Sequence, residues 1–131
     1  MKLVRPAELT DSAPYAYAAV SPPGARLVFT AGACPLDAAG ATVAPGDVAA
    51  QTEQVMENLR IALQAAGAGL DDVLKTTVYV ASGDRADLVT AWNVVKRHFG
   101  DHDAPSTLLG VATLGYPDQL VEVEAVAAVG E

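Results

Sequence analysis

The sequence predicts an α+β fold in which two helices cover one face of a mixed β-sheet. Two segments repeat apolar residues at helical spacing, while the other apolar segments are short and bounded by Gly, Pro or polar turns, as strands are. The elements follow in the order β-β-α-β-α-β-β, which is an α+β layout. A length of 131 residues suits one core, so we expect residues 1–131 to form a single domain.

The N-terminal elements are strands followed by a long helix. Residues 15–20 (YAYAAV) and 26–31 (RLVFTA) flank SPPG, a cluster that stops both helix and strand. We expect these two segments to form a β-hairpin-like pair, with a short extra strand at residues 2–4. The first helix begins at an N-cap, Asp47, and ends at Gly67. Its apolar stripe consists of Val55, Leu59, Ala62, Leu63 and Ala66.

The C-terminal half continues with a strand, a second helix and two strands. The β-branched segment VLKTTVYVA predicts a strand over residues 73–81. A helix follows from about Asp84 to Phe99, with Gly100 past its end. Two strands, at about 106–114 and 119–129, close the chain.

Composition and charge exclude several function classes. Eight Lys+Arg against sixteen Asp+Glu give a net charge of −8, so the field of the protein repels RNA, DNA and anionic lipid. One cysteine and two histidines offer no internal disulfide, no metal cluster and no sign of a cofactor, and they suit a reducing, cytoplasmic compartment. We find neither the apolar core of a signal peptide nor a run near the ~20 apolar residues of a membrane span.

The apolar content predicts self-association. Hydrophobic residues make up 51% of the chain, although aromatic residues are only 5%, and the excess lies in strand-like runs of Val, Leu and Ala. Two helices on one sheet cannot easily cover that much apolar surface. We therefore expect the uncovered face of the sheet to contact another subunit.

Several segments, in order along nearly the whole chain, resemble those of one known family. They are PYAYAAV (14–20), LVFTAGACPLD (27–37), DVAAQTEQVMENL (47–59), AGAGLDDVLKTTVYV (66–80), Asn93 and Phe99 in AWNVVKRHF, and LVEVEAVA (120–127). The chain resembles the RidA/YjgF family of imine and enamine deaminases, formerly labelled translation inhibitors or endoribonucleases. The resemblance implies a chorismate-mutase-like fold and a homotrimer with small-molecule clefts at its subunit boundaries.

The resemblance also assigns roles to two C-terminal positions. Active deaminases of the family carry an arginine two positions after a proline, and it binds the substrate carboxylate; here that position is Thr107, after Pro105. Threonine offers one neutral hydroxyl, whereas arginine offers a charged, planar fork of donors. Glu122 matches the glutamate that holds or activates the hydrolytic water. Glu124 shares its strand face, and we interpret it as structural.

Further substrate contacts follow from the same resemblance. Asn93 on the second helix is either a cleft residue or an amide of the helix surface. Tyr17 corresponds to a pocket tyrosine, although Tyr15 is the alternative because the gap-free alignment falls between the two. Backbone groups around Gly32 and Ala33 are expected to orient the substrate.

Two other polar residues have less specific interpretations. We interpret Cys34 as a small hydrophobic residue, because no histidine or other base lies near it in sequence. Lys75 either replaces the absent arginine or is an outward-facing edge or interface charge.

Two functions therefore stay open at the level of sequence. In the first, the protein hydrolyses an imine or enamine that is neutral, or larger than a simple 2-imino acid. In the second, it is a non-enzymatic trimer that binds a small molecule or regulates another process. Cleavage of RNA comes last, because the sequence has neither a basic stripe nor an aromatic stacking surface.

Overall fold

A computed structural model describes residues 1–130, and it confirms the α+β class with both helices on one face of a mixed sheet. The elements are β1 (Lys2–Val4), β2 (Ala18–Val20), β3 (Arg26–Phe29), α1 (Val48–Ala65), a 3₁₀ turn (Leu70–Asp72), β4 (Val73–Val80), α2 (Arg85–Phe99), β5 (Ser106–Gly110) and β6 (Val121–Val129). Neither helix has the length and apolar character that a membrane crossing requires, within residues 1–130.

The main sheet has the strand order β3-β6-β4-β5, in which only β4 and β5 run parallel. The predicted hairpin between residues 15–20 and 26–31 is wrong, because β2 pairs with β1 and β3 pairs with β6. A two-stranded hairpin buries little apolar surface on its own. Pairing with the nine-residue strand β6 instead places Val28 opposite Ala127, so that Val28 packs against the core.

Both helices begin and end as the sequence predicts. Asp47 accepts a hydrogen bond from the backbone N–H of Ala50, and Asp84 caps α2 in the same way. Gly100 ends α2 with a φ of 59°, a conformation that favours glycine. The core between helices and sheet consists mainly of Val55, Met56, Leu59, Leu63, Val73, Val78, Val80, Val95, Phe99, Val121 and Val123.

An ion-pair cluster joins the N-terminal segment to the end of α2. The carboxylate of Asp103 accepts from Lys96 Nζ at 2.6 Å and from Arg5 Nη2 at 2.7 Å. These donors, Lys96 first, hold the pKa of Asp103 below its usual value. All three side chains are about one-third exposed, so solvent screens the pairs.

The sheet face opposite the helices is uncovered in the single chain. Leu27 and Phe29 on β3 are 51% and 71% exposed, and Leu109 on β5 is 42% exposed. Between these edges the face carries polar residues of β4 and β6, including Glu122 and Glu124. The face is thus apolar at both edges and polar at its centre, which locates the candidate site.

Candidate functional site

The carboxylate of Glu122 is held by two donors from different parts of the chain. Glu122 lies on β6 opposite Tyr79 of β4, and its side chain is half-buried on the uncovered face. Its Oε1 atom accepts from Gln119 Nε2 at 3.1 Å and from the Cys34 thiol, whose Sγ lies 3.2 Å away. Two donors on one oxygen fix the orientation of the carboxylate.

The other carboxylate oxygen lies directly over Gly32. A Cβ atom built on Gly32 would stand 2.1 Å from Glu122 Oε2, so a side chain at position 32 would displace the carboxylate. Ala33 fixes this segment, because it exchanges two backbone hydrogen bonds with Val123, at 2.8 and 3.1 Å. The fold therefore brings together Gly32, Ala33 and Glu122.

Gln119 and Cys34 are site residues that sequence reasoning missed. Gln119 is buried, and its amide nitrogen donates to the Val121 carbonyl as well as to Glu122. Burial first, and the Glu122 carboxylate second, raise the pKa of Cys34 to about 11. The residue is therefore a thiol at neutral pH. Its interpretation as a plain hydrophobic residue omits the hydrogen bond that it donates.

Glu124 is engaged by a different partner. The Tyr79 hydroxyl donates to Glu124 Oε1 at 2.6 Å, and this hydrogen bond is the main cause of a raised pKa of Tyr79. The two glutamates thus share one face of β6 but have separate partners. A structural role for Glu124 agrees with this contact.

Thr107 lies on the edge strand β5, next to a cation. Lys75 Nζ donates to Thr107 Oγ1 at 2.6 Å. No carboxylate of residues 1–130 lies within 4.0 Å of that ammonium group, so its charge is available to a ligand or a neighbouring chain. Residue 107 also borders an open depression of about 490 Å³. The lining consists of Pro14, Tyr15, Trp92, Ser106, Thr107 and Leu108.

The predicted residues Tyr17 and Asn93 lie away from Glu122 in the single chain. The Tyr17 hydroxyl donates to the Thr10 carbonyl at 2.6 Å, and Tyr15 is the tyrosine that borders the depression, edge-on to Trp92 at 6.2 Å. Asn93 is exposed on α2, on the opposite side of the sheet from Glu122, and no residue in 1–130 hydrogen-bonds its side chain.

The candidate residues form two groups on one chain. We call Gly32, Ala33, Cys34, Gln119 and Glu122 the glutamate half-site, and Tyr15, Lys75, Trp92 and Thr107 the threonine half-site. Thr107 of β5 pairs with Thr77 of β4, and Thr77 in turn pairs with Glu124 of β6. Glu122 therefore lies two strands away from Thr107 and two residues further along β6. Standard strand spacings put the Cα atoms of Thr107 and Glu122 roughly 12 Å apart. Both side chains project from the uncovered face of the sheet.

The arrangement suits chemistry by a carboxylate and backbone groups. Within the described residues 1–130, no group of three or more His, Cys, Asp or Glu side chains is placed to hold a metal ion. The glutamate half-site offers a base beside an open glycine backbone, and the threonine half-site offers a cation, a hydroxyl and two aromatic rings.

Comparisons with known proteins agree with the sequence resemblance. The family model described as Endoribonuclease L-PSP matches residues 6–129. A RutC family protein of Pyrococcus horikoshii is 36% identical over 102 residues, which cover 78% of this chain and 79% of that protein. The 2-iminobutanoate/2-iminopropanoate deaminase of Salmonella typhimurium is 36% identical over 104 residues, covering 77% and 78%.

A solved structure matches almost the whole chain. It is a Yersinia pestis protein of unknown function from the conserved Rid family, with a TM-score of 0.89 and 30% identity over 98% of both chains. The similarity thus extends through both half-sites.

Proposed function

Because the chain belongs to the endoribonuclease L-PSP (RidA) family, we propose that it hydrolyses an imine or enamine to a carbonyl compound and ammonia in a cleft between subunits. The observation that carries the proposal is the Glu122 carboxylate, which is fixed by Gln119 and lies over the side-chain-free backbone of Gly32. That arrangement places a base beside a stretch of backbone without a side chain.

The proposed reaction needs only acid–base chemistry. Glu122 takes a proton from water as the water oxygen adds to the carbon of the C=N bond. Glu122 returns that proton to the nitrogen, which gives a carbinolamine. Transfer of the carbinolamine hydroxyl proton to the nitrogen then breaks the C–N bond, and ammonia leaves as the C=O bond forms. Backbone groups at Gly32 and Ala33 orient the substrate, and Thr107, Asn93 and Tyr17 contact it from a neighbouring subunit.

The separation of the half-sites supports a cleft between subunits. The roughly 12 Å between the Cα atoms of Thr107 and Glu122 leads us to propose that two chains contribute one half-site each to the cleft. Contact between unlike surfaces of identical chains forms a ring when the rotation between neighbours closes. The apolar edges at Phe29 and Leu109 are the surfaces that such a ring would bury. We propose that the ring is the homotrimer implied by the resemblance.

The threonine half-site favours a substrate other than the simplest 2-imino acids. Lys75 supplies a point charge that is already hydrogen-bonded to Thr107, whereas an arginine would supply a bidentate fork. The depression that Thr107 borders, to whose lining Lys75 does not belong, is lined by Tyr15, Trp92 and Leu108, which suit an apolar group. The substrate that fits these contacts carries a larger apolar side chain and depends less on a clamped carboxylate.

The absent arginine also supports a second function. A trimer that binds a small molecule in the same cleft without converting it would need the half-sites but no clamp. Cleavage of RNA is the least supported activity, because a net charge of −8 opposes phosphate binding. At physiological salt we expect the purified protein to leave RNA uncut.

A turnover assay distinguishes the two functions. An amino-acid oxidase generates imines in situ from alanine, leucine and phenylalanine, and release of the keto acid is followed with and without the protein. We expect acceleration to be larger for the phenylalanine and leucine imines than for the alanine imine. Glu122→Gln should abolish it, and Glu124→Gln, two residues along the same strand face, should retain it. A folded trimer that binds the keto acids but accelerates none of the reactions would instead establish the binding protein.

A further inference from the structure

The sole cysteine of the chain contacts the proposed base. Cys34 Sγ lies 3.2 Å from Glu122 Oε1 and 3.5 Å from the Gly32 carbonyl oxygen. A thiol has one proton to donate, and the shorter, charged contact is the stronger of the two. The thiol hydrogen is therefore directed at the carboxylate.

The protonation of Cys34 makes it a donor rather than a nucleophile. Burial and the adjacent carboxylate raise its pKa to about 11, whereas nucleophilic cysteines have depressed values and nearby cations. No Lys, Arg or His contributes to the environment of this thiol. Covalent catalysis by Cys34 does not fit these surroundings.

The two oxygens of Glu122 have different environments. Oε1 accepts from both Cys34 and Gln119, whereas no group in residues 1–130 donates to Oε2, which faces Gly32. On the basis of the function proposed above, we infer that Cys34 is a positioning residue for Glu122. Its thiol and the Gln119 amide hold Oε1, so that Oε2 alone is presented to the attacking water.

Cys34 also joins the base to the backbone that faces the substrate. It follows directly on Gly32 and Ala33, and Ala33 is fixed to β6 through Val123. Gln119 holds the carboxylate from the other side, through the turn that precedes β6. The thiol therefore sets the distance between the carboxylate and the glycine backbone, which a packing residue of similar volume would not do.

Three variants separate a positioning role from simple packing. Cys34→Ser keeps a donor, Cys34→Val keeps the apolar volume, and Cys34→Ala keeps neither. We expect kcat/KM for the best imine substrate to stay within about threefold of wild type in the serine variant, and to fall roughly tenfold in the valine variant, with most of the loss in kcat. Packing alone would give the opposite order, with valine near wild type and serine impaired.

Alkylation tests the contact without relying on activity. Because the chain has one cysteine, iodoacetamide reports on Cys34 alone. Glu122→Gln removes the negative charge that helps to raise the thiol pKa and leaves only a neutral amide oxygen as acceptor, so the variant should be alkylated faster than wild type at pH 8 to 9. Glu124→Gln is the matched control and should react at the wild-type rate. Equal rates in wild type and Glu122→Gln would overturn the inference.

The outcomes distinguish this inference from the proposed function. An active wild type whose valine variant is equally active refutes the role of Cys34 and leaves the deaminase intact. A wild type that hydrolyses no imine refutes the deaminase and, with it, a positioning role in that reaction, even where alkylation confirms the contact. Faster alkylation of Glu122→Gln, together with serine rescue and valine loss, supports both.

Discussion

Gly32→Ala tests whether the carboxylate of Glu122 works where the structure places it. The added Cβ atom would lie 2.1 Å from Oε2 and 2.6 Å from the carboxyl carbon, far inside van der Waals contact. The carboxylate must therefore retreat by more than about 1 Å. Such a shift draws Oε1 away from Gln119 Nε2 and Cys34 Sγ, which already lie at 3.1 and 3.2 Å.

The expected loss is large for catalysis and small for stability. A hydrogen bond to a charged group contributes about 1.5–3 kcal/mol, so losing one of the two corresponds to a roughly 10- to 100-fold decrease in kcat/KM. The half-buried side chain of Glu122 can rotate toward solvent. Alanine also restricts the unfolded chain more than glycine does, which by itself stabilises the folded state by about 0.4–1 kcal/mol. We therefore expect the free energy of unfolding to change by less than about 1 kcal/mol.

The assay combines imine hydrolysis with urea unfolding and light scattering. Gly83→Ala is the matched control, because its Cβ would meet no atom within 4 Å, and it should behave like wild type in all three measurements. The reasoning is refuted if Gly32→Ala retains wild-type kcat/KM while its fold and oligomeric state are unchanged.

Three further changes test other parts of the molecule. Phe29→Asp places a charge on the 71%-exposed apolar edge, so light scattering should detect a trimer for wild type and a monomer for the variant; a monomeric wild type would contradict the proposed cleft. Thr107→Arg should raise kcat/KM for the alanine imine roughly tenfold or more, and adding Lys75→Met should raise it further by removing like-charge repulsion; unchanged activity would count against a missing clamp. Asp103→Asn should lower the free energy of unfolding at neutral pH by less than about 1 kcal/mol. Because ion pairing lowers the pKa of Asp103, that contribution is present above the ordinary carboxyl pKa and is lost as pH falls through the lowered value, so urea titrations of the two proteins should converge in strong acid.

Local signals explain what the sequence could predict about the fold. Each helix carries its own N-cap, apolar stripe and terminal glycine in one continuous segment, and the sequence predicts both boundaries within about two residues. The partner of β3 has no such local signal. Its four residues pair with β6, about a hundred positions later, and only the burial of Val28 against the core selects that partner.

The direction in which the Lys75 side chain points depends on a register shift in β4, which the simple alternation of strand side chains does not predict. Val73 and Val78 both point into the core, although they are five positions apart and strict alternation would place them on opposite faces. The β4–β6 register shifts between Val73 and Lys75, and this shift allows both valines to face the core. Beyond that shift Lys75 shares the outward face with Thr77 and Tyr79, which lets its ammonium reach Thr107 on β5. A bulge of this kind changes which side chains reach the site.

The glutamate half-site shows why the sequence alone did not assign Cys34 and Gln119 to the site. Cys34 lies 88 positions from Glu122, and sequence reasoning searched for a base only among its neighbours. The sequence offered one signal, a glycine directly after the strand segment 26–31, because a glycine at such a place can mark a close approach by another group. Here the approaching group is the carboxylate itself.

The parallel pairing of β4 and β5 ties the chemistry to the assembly. The crossover connection through α2 makes β5 run parallel to β4. In the register of that pair, Thr107 lies beside Thr77, whereas Glu122 of β6 lies beside Tyr79. No side-chain substitution on β5 can remove this offset, because it is set by the backbone register. If both half-sites bind one small substrate, dilution into monomers must abolish turnover while each chain stays folded. Activity that persists in a folded monomer would show that one half-site is sufficient.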